Sequence, residues 1–153
     1  MKRNTLIGSW AFVGLSVARA AASAASSPPP SGRLVAEVEA FDPMRGELGC
    51  SLFRSAKGFP GDIRHAVVQR HAVVSRKGQC VFEGLAPGTY ALSLIHDVNG
   101  NRKFDTNFLC MPKEPWGTSN NVTHKFSAPS FEESAFTISA GETKRIAVVL
   151  HAR

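Results

Sequence analysis

Phe82-Glu83-Gly84-Leu85-Ala86-Pro87-Gly88-Thr89-Tyr90-Ala91-Leu92-Ser93-Leu94-Ile95-His96 carries two strand signals joined by a turn. Tyr90, Leu92 and Leu94 recur at every second position, the pattern of a strand with one face in a core. Pro87 presets its own φ and Gly88 accepts a positive one, so the pair makes a turn, with Phe82 and Leu85 as apolar anchors before it. The same pattern continues outward. Leu34 to Phe41, Glu47 to Arg54, Gln79 to Phe82, Ala135 to Ser139 and Lys144 to His151 are short alternating runs with turn residues between them. Arg64 to Ser75 fits either a strand pair or one helical turn followed by a strand. Sustained helical periodicity is weak. These features predict an all-β fold, an antiparallel β-sandwich of about seven strands.

The N-terminus has the pattern of an export signal. Lys2 and Arg3 precede an apolar run from Leu6 to Val17, and both Ala18-Arg19-Ala20 and Ala22-Ser23-Ala24 offer small residues for cleavage. Residues 1–24 are therefore expected to be a signal peptide, 25–32 a Pro/Ser linker stiffened by Pro28-Pro29-Pro30, and 33–153 the sandwich domain. The apolar run is short for a membrane span, so the processed chain is not expected to be an integral membrane protein. The expected location is periplasmic or secreted. The chain has 18 basic and 12 acidic residues; without Lys2, Arg3 and Arg19 the balance is 15 against 12. Those bases are scattered, which argues against a nucleic-acid partner and leaves an envelope polysaccharide or protein as the expected one.

An oxidising compartment favours pairing two of the three cysteines. Cys50 shares a strand face with Leu48 and Leu52, and Cys80 shares one with Phe82, whereas Cys110 falls in a loop. The predicted disulfide is Cys50–Cys80, worth about 3–4 kcal/mol in the chain-entropy model.

The chemically richest segment is Asp97-Val98-Asn99-Gly100-Asn101-Arg102-Lys103-Phe104-Asp105. Side-chain oxygens at loop positions 1, 3, 5 and 9 (Asp97, Asn99, Asn101, Asp105) can converge on one hard cation, and Lys103 can add its carbonyl. Calcium is the expected cofactor. The loop is not an EF-hand: glycine stands at position 4, and Phe108 replaces the glutamate of position 12. Glu114 could fold back as a further ligand. The alternative is an Asx-rich turn that satisfies its own backbone.

Other groupings are weaker. His96 reads as a strand-end histidine, and a zinc site from His96, Cys110 and His124 has little support. Trp116, Phe108 and Phe126 flank Asn120 and Asn121. Burial of these aromatics under a long loop is expected, with stacking on sugar rings as the alternative. Adjacent Glu132 and Glu133 would face opposite ways on a strand, a poor acid/base pair. No Gly-x-Ser-x-Gly elbow occurs.

Phe82-x-x-Leu85-x-Pro87-Gly88-x-Tyr90 resembles the corresponding hairpin of transthyretin-like and collagen-adhesin B-type sandwiches. The implied fold is transthyretin-like or immunoglobulin-like. A wider resemblance rests on that segment, on His96 to Asn107, on Pro112-Lys113-Glu114, on Gly117 to Asn121 and on Pro129 to Phe136. Across them the chain is similar to a bacterial exported family known only as domain of unknown function 2141. That family usually has Gly where Cys110 and Pro115 stand, and Gly-Pro at Ser127-Ala128. The resemblance implies an exported sandwich and supplies no activity. The expected function is a non-enzymatic envelope module whose long loop, Asp97 to Phe126, is pinned by calcium. The alternatives are a carbohydrate- or peptide-binding domain using that loop, and an uncharacterised hydrolase.

Overall fold

The computed structural model describes residues 30–39, 41–109 and 111–151. The expected signal peptide, most of the linker and Cys110 lie outside them.

Alternation becomes two facing sheets. β1 (Gly32–Glu39) buries Leu34, Ala36 and Val38 completely and leaves Arg33, Glu37 and Glu39 in solvent. It lies between β4 (Lys77–Leu85) and β8 (Thr143–Val149) in a three-stranded sheet. The second sheet runs β3 (Ala66–Ala72), β2 (Glu47–Phe53), β5 (Gly88–Asp97), β6 (Trp116–Thr118). β7 (Phe136–Ile138) pairs with the first residues of β5. Opposed inward pairs on β2 and β5 are Leu48 with His96, Cys50 with Leu94, and Leu52 with Leu92. Between the sheets these meet Leu34, Phe82, Ile138 and Val148.

Eight strands replace the expected seven or so because Trp116-Gly117-Thr118 is too short to show alternation. A Cβ on Gly117 would stand 2.5 Å from the Val149 carbonyl, so glycine permits the close approach of β6 to β8. Trp116 and His151 exchange backbone hydrogen bonds (3.1 and 2.7 Å) and join the two sheets at that edge. At the opposite edge the Gln69 side-chain amide donates to the Val81 carbonyl, 2.7 Å away, tying β3 to β4.

Two local expectations are corrected. The sandwich is not wholly antiparallel: β1 and β8 pair in parallel, with Ala36 opposite Ile146. A parallel pair needs a long crossover, and the whole intervening chain supplies it. The Pro87-Gly88 turn is not a hairpin, because β4 and β5 belong to different sheets. It is a corner between sheets, held where the Tyr90 hydroxyl donates to the Ala86 carbonyl (2.6 Å). The ambiguous Arg64 to Ser75 region resolves into a 3-10 turn (Ile63–His65) followed by β3.

Cys50 on β2 and Cys80 on β4 are joined as a disulfide between the sheets, with Cα atoms 6.5 Å apart and both residues fully buried. A His71 nitrogen lies within 4.8 Å of the sulfurs. The sulfurs are bonded to each other, so this trio is no ligand set. Among the described residues, no helix is long and apolar enough to cross a membrane.

Candidate metal centre

β5 ends by delivering Asp97 to the surface of the sandwich with its carboxylate still buried, at 2% exposure. The inward alternation of Tyr90, Leu92, Leu94 and His96 turns Asp97 to the other face. There it collects the chain that follows: the Asn101 N–H donates to Asp97 Oδ1 (3.1 Å) and the Arg102 N–H to Oδ2 (2.6 Å). Asn99 Oδ1 also accepts from the Asn101 N–H (3.0 Å), and Asn101 Oδ1 from the Lys103 N–H (2.7 Å). Gly100 and Arg102 both take left-handed φ, 69° and 61°, which winds the loop back over Asp97. Lys103 is fixed through its N–H, and its side chain is exposed.

Asp105 closes the circle. Its Oδ2 accepts from the amides of Asn99 (2.7 Å) and Asn101 (3.0 Å). Two neutral N–H dipoles thus converge on one carboxylate oxygen, where a cation would bring positive charge. Rotating either amide would replace its N–H₂ with its oxygen. Glu114 folds back onto the loop, which spacing alone could not show. It is 5% exposed, its Oε1 accepts from the Val98 N–H and its Oε2 from the Asp105 N–H, both at 3.2 Å. Burial raises the pKa of Glu114 above the ordinary carboxylate value, the two N–H donors oppose that rise, and neighbouring Asp97 and Asp105 add to it. Three carboxylates and two amides therefore gather at one end of β5. All are oxygen donors, the set a hard cation such as Ca²⁺ requires.

Charge balance around the group is partial. Glu47, opposite Asp97 on β2, meets Arg102 (3.4 Å) and Arg70 (3.9 Å). His96 takes no part: it is fully buried on the core side, edge-on to Phe41, with its Nε2–H directed at the Arg45 carbonyl (2.8 Å). The strand-end reading of His96 holds, and it does not approach the loop as a ligand.

Beyond the oxygen cluster the loop crosses the outer face of β5 and β6. It encloses an open cavity of about 230 Å³, lined by Ile95, Phe104, Met111, Trp116, Phe126 and Pro129 among others. Here the burial expectation fails. Phe108 is 92% exposed and Phe126 86%, and Trp116 is only partly covered.

Asn120 and Asn121, considered as sugar-binding amides, are structural. The Asn120 amide donates to the carbonyls of Glu133 (3.0 Å) and Ala135 (2.9 Å). Asn121 donates to the Ala147 carbonyl (3.2 Å) and accepts from the Val149 N–H (2.8 Å). The buried Ser119 hydroxyl donates to the Ser134 carbonyl. Ser119-Asn120-Asn121 is thus a clasp between the end of the loop, β8 and a short helix. Both asparagines hold left-handed φ (63° and 53°), which Asn tolerates better than most residues. Asn120→Ala loses two hydrogen bonds and that tolerance, and is expected to cost about 2–3 kcal/mol. Urea unfolding checks this; a cost below about 0.5 kcal/mol, the scale of ordinary surface substitutions, contradicts the clasp.

The helix, α1 (Phe131–Ser134), was missed from sequence although its signal was present. Ser130-x-x-Glu133 is a capping box: the Glu133 N–H donates to the Ser130 hydroxyl oxygen (3.3 Å), and the Ser130 N–H donates back to Glu133 (2.9 Å). Glu132 and Glu133 therefore lie on a helix, not a strand. The Ser130 hydrogen bonds, backbone first, and then His124 (3.0 Å) hold the Glu133 pKa down to about 2.

No curated protein and no solved structure gives a significant match. A family model described as "Uncharacterized protein conserved in bacteria (DUF2141)" matches residues 36–146, from the middle of β1 into β8, and includes every residue of the oxygen cluster. The chain belongs to this uncharacterized bacterial family.

Proposed function

We propose that the protein is an exported, non-enzymatic module of the bacterial envelope whose Asp97–Glu114 loop binds calcium. The observation that carries the reading is Glu114. A buried carboxylate beside Asp97 and Asp105 is costly unless positive charge offsets it. With Glu114 the loop offers three formal charges where Asp97 and Asp105 give two, and the expected Kd is on the order of 10⁻⁴ M. Millimolar calcium outside the cytoplasm would fill such a site. Export is supported by the N-terminal pattern and agrees with a buried disulfide. Carbohydrate binding is the weaker reading, because the Asn120 and Asn121 amides are already engaged.

Calorimetric titration with calcium tests the reading, with one ion per chain expected. Glu114→Gln should weaken binding at least about tenfold by removing one ligand charge. The same variant isolates a pH effect. Because the folded protein holds the Glu114 proton more tightly than the unfolded chain, its contribution is fully present below the ordinary carboxylate range. It is lost as pH rises through the raised value. Calcium stabilises the charged form and opposes that loss. The wild-type minus Glu114→Gln difference in melting temperature should therefore fall from acid to neutral pH in chelator and not in calcium. A pH-independent difference in chelator contradicts this account of Glu114.

A further inference from the structure

The segment after the oxygen cluster holds apolar side chains out into water by design of its backbone. Thr106 and Pro112 form an antiparallel bridge, and the Asn107 N–H donates to the Met111 carbonyl (2.9 Å). Asn107 Oδ1 accepts from the N–H groups of Leu109 (2.9 Å) and Met111 (3.0 Å). Asn107 thus ties the described residues on the two sides of this turn together; Cys110, between Leu109 and Met111, lies outside the described residues. The tip of this small hairpin presents Phe108 at 92% exposure and Leu109 at 65%. Met111 and Pro112, on the hairpin's return, line the same cavity as the exposed Phe104 and Phe126.

Charge within residues 97–126 is sorted by exposure. Of the three carboxylates in residues 97–126, Asp97 and Glu114 are buried and Asp105 accepts from two amides. The four basic side chains of that segment, Arg102, Lys103, Lys113 and Lys125, are all exposed. Within this segment two acids are thus buried and the third is held by amides, while the bases lie outward near the apolar tip, Arg102 also meeting Glu47.

We infer that this hairpin, with Phe104 and Phe126, docks the protein onto an anionic phospholipid surface. Apolar side chains entering the acyl boundary and bases meeting anionic headgroups are the two contributions that hold a peripheral protein at a bilayer. A protein partner fits less well, because rings projecting from a narrow tip provide little of the broad flat area a stable interface buries. A glycan would need convergent hydrogen-bonding side chains, and the nearby amides are consumed within the fold. The inference stands on the hairpin and its charge, independently of calcium occupancy.

The test is co-sedimentation of the chain lacking residues 1–24, whose apolar run would itself bind lipid. Vesicles of equimolar phosphatidylglycerol and phosphatidylcholine are compared with vesicles of phosphatidylcholine alone, in chelator and in calcium. The wild type should bind the anionic vesicles at least about tenfold more tightly, since several bases face the headgroups. Phe108→Ser/Leu109→Ser should lose about tenfold or more on the same vesicles while keeping the wild-type melting temperature, because both side chains are exposed. Lys103→Glu/Lys113→Glu should reduce anionic selectivity. Failure to bind anionic vesicles, equal binding to both compositions, or binding unchanged by the Phe108/Leu109 substitutions overturns the proposal. Calcium-dependent binding that ignores the tip is ion bridging and also overturns it. The melting temperature in calcium reads the metal proposal separately.

Discussion

Replacing Cys50 and Cys80 together with alanine should lower the unfolding free energy by about 3–4 kcal/mol. The bond closes a sequence separation of 30 residues and ties β2 of one sheet to β4 of the other. Few other side-chain links cross the sandwich at that edge, where Gln69 to Val81 is the neighbouring tie. The double variant is the right comparison, because a single alanine leaves an odd buried thiol. Urea unfolding of oxidised wild type against the double variant measures the effect. Peptide mapping without reduction should recover a Cys50–Cys80 linked peptide. An unfolding midpoint that does not move, or a linked peptide containing Cys110, contradicts the assignment.

Asp97→Ala should cost about 2–3 kcal/mol even without metal, because the Asn101 and Arg102 N–H groups lose a charged acceptor in a buried position. Relief of repulsion from Glu47 and Glu114 offsets part of that cost, and Asp97→Asn, which retains one acceptor, should be milder. In calcium the gap between wild type and Asp97→Ala should widen by the mass-action stabilisation that the bound ion gives the wild type at that concentration. Asp105→Ala provides the contrast. Asp105 accepts only from side-chain amides near the surface, so its loss in chelator should be under about 1 kcal/mol, while its loss of calcium response should be complete. If both variants lose equal stability in chelator, Asp97 is not the structural pivot of the loop.

The strands were legible from alternating large apolar residues, as in Tyr90, Leu92 and Leu94, but not their two-sided cover: Ala91, Ser93 and Val35 are buried as well. The disulfide was legible for the same reason, because each cysteine keeps step with a buried neighbour. The oxygen positions Asp97 to Asp105 follow a spacing, whereas the return of Glu114 to them cannot be read from spacing alone and comes from the fold. Less local features were hidden. β6 is defined by contacts with β5 and β8, which no three-residue window encodes. Turn chemistry at Pro87-Gly88 marks a change of direction but does not say whether the next strand joins the same sheet. The exposure of Phe108 depends on how Asn107 closes the hairpin, and composition favours burial for any phenylalanine. Helix α1 could have been found, since Ser130-x-x-Glu133 is a start signal; four helical residues leave no periodicity to reinforce it.

Whether the loop binds calcium is decided most directly by thermal unfolding of the wild type in chelator and in about 10 mM calcium. At a Kd on the order of 10⁻⁴ M this concentration stabilises the folded state by roughly 2.7 kcal/mol, enough to raise the melting temperature by several degrees. The account predicts that rise in the wild type and its absence in Asp105→Ala. An unchanged wild-type melting temperature would contradict it and leave Asp97 to Asp105 as a turn satisfied by its own hydrogen bonds.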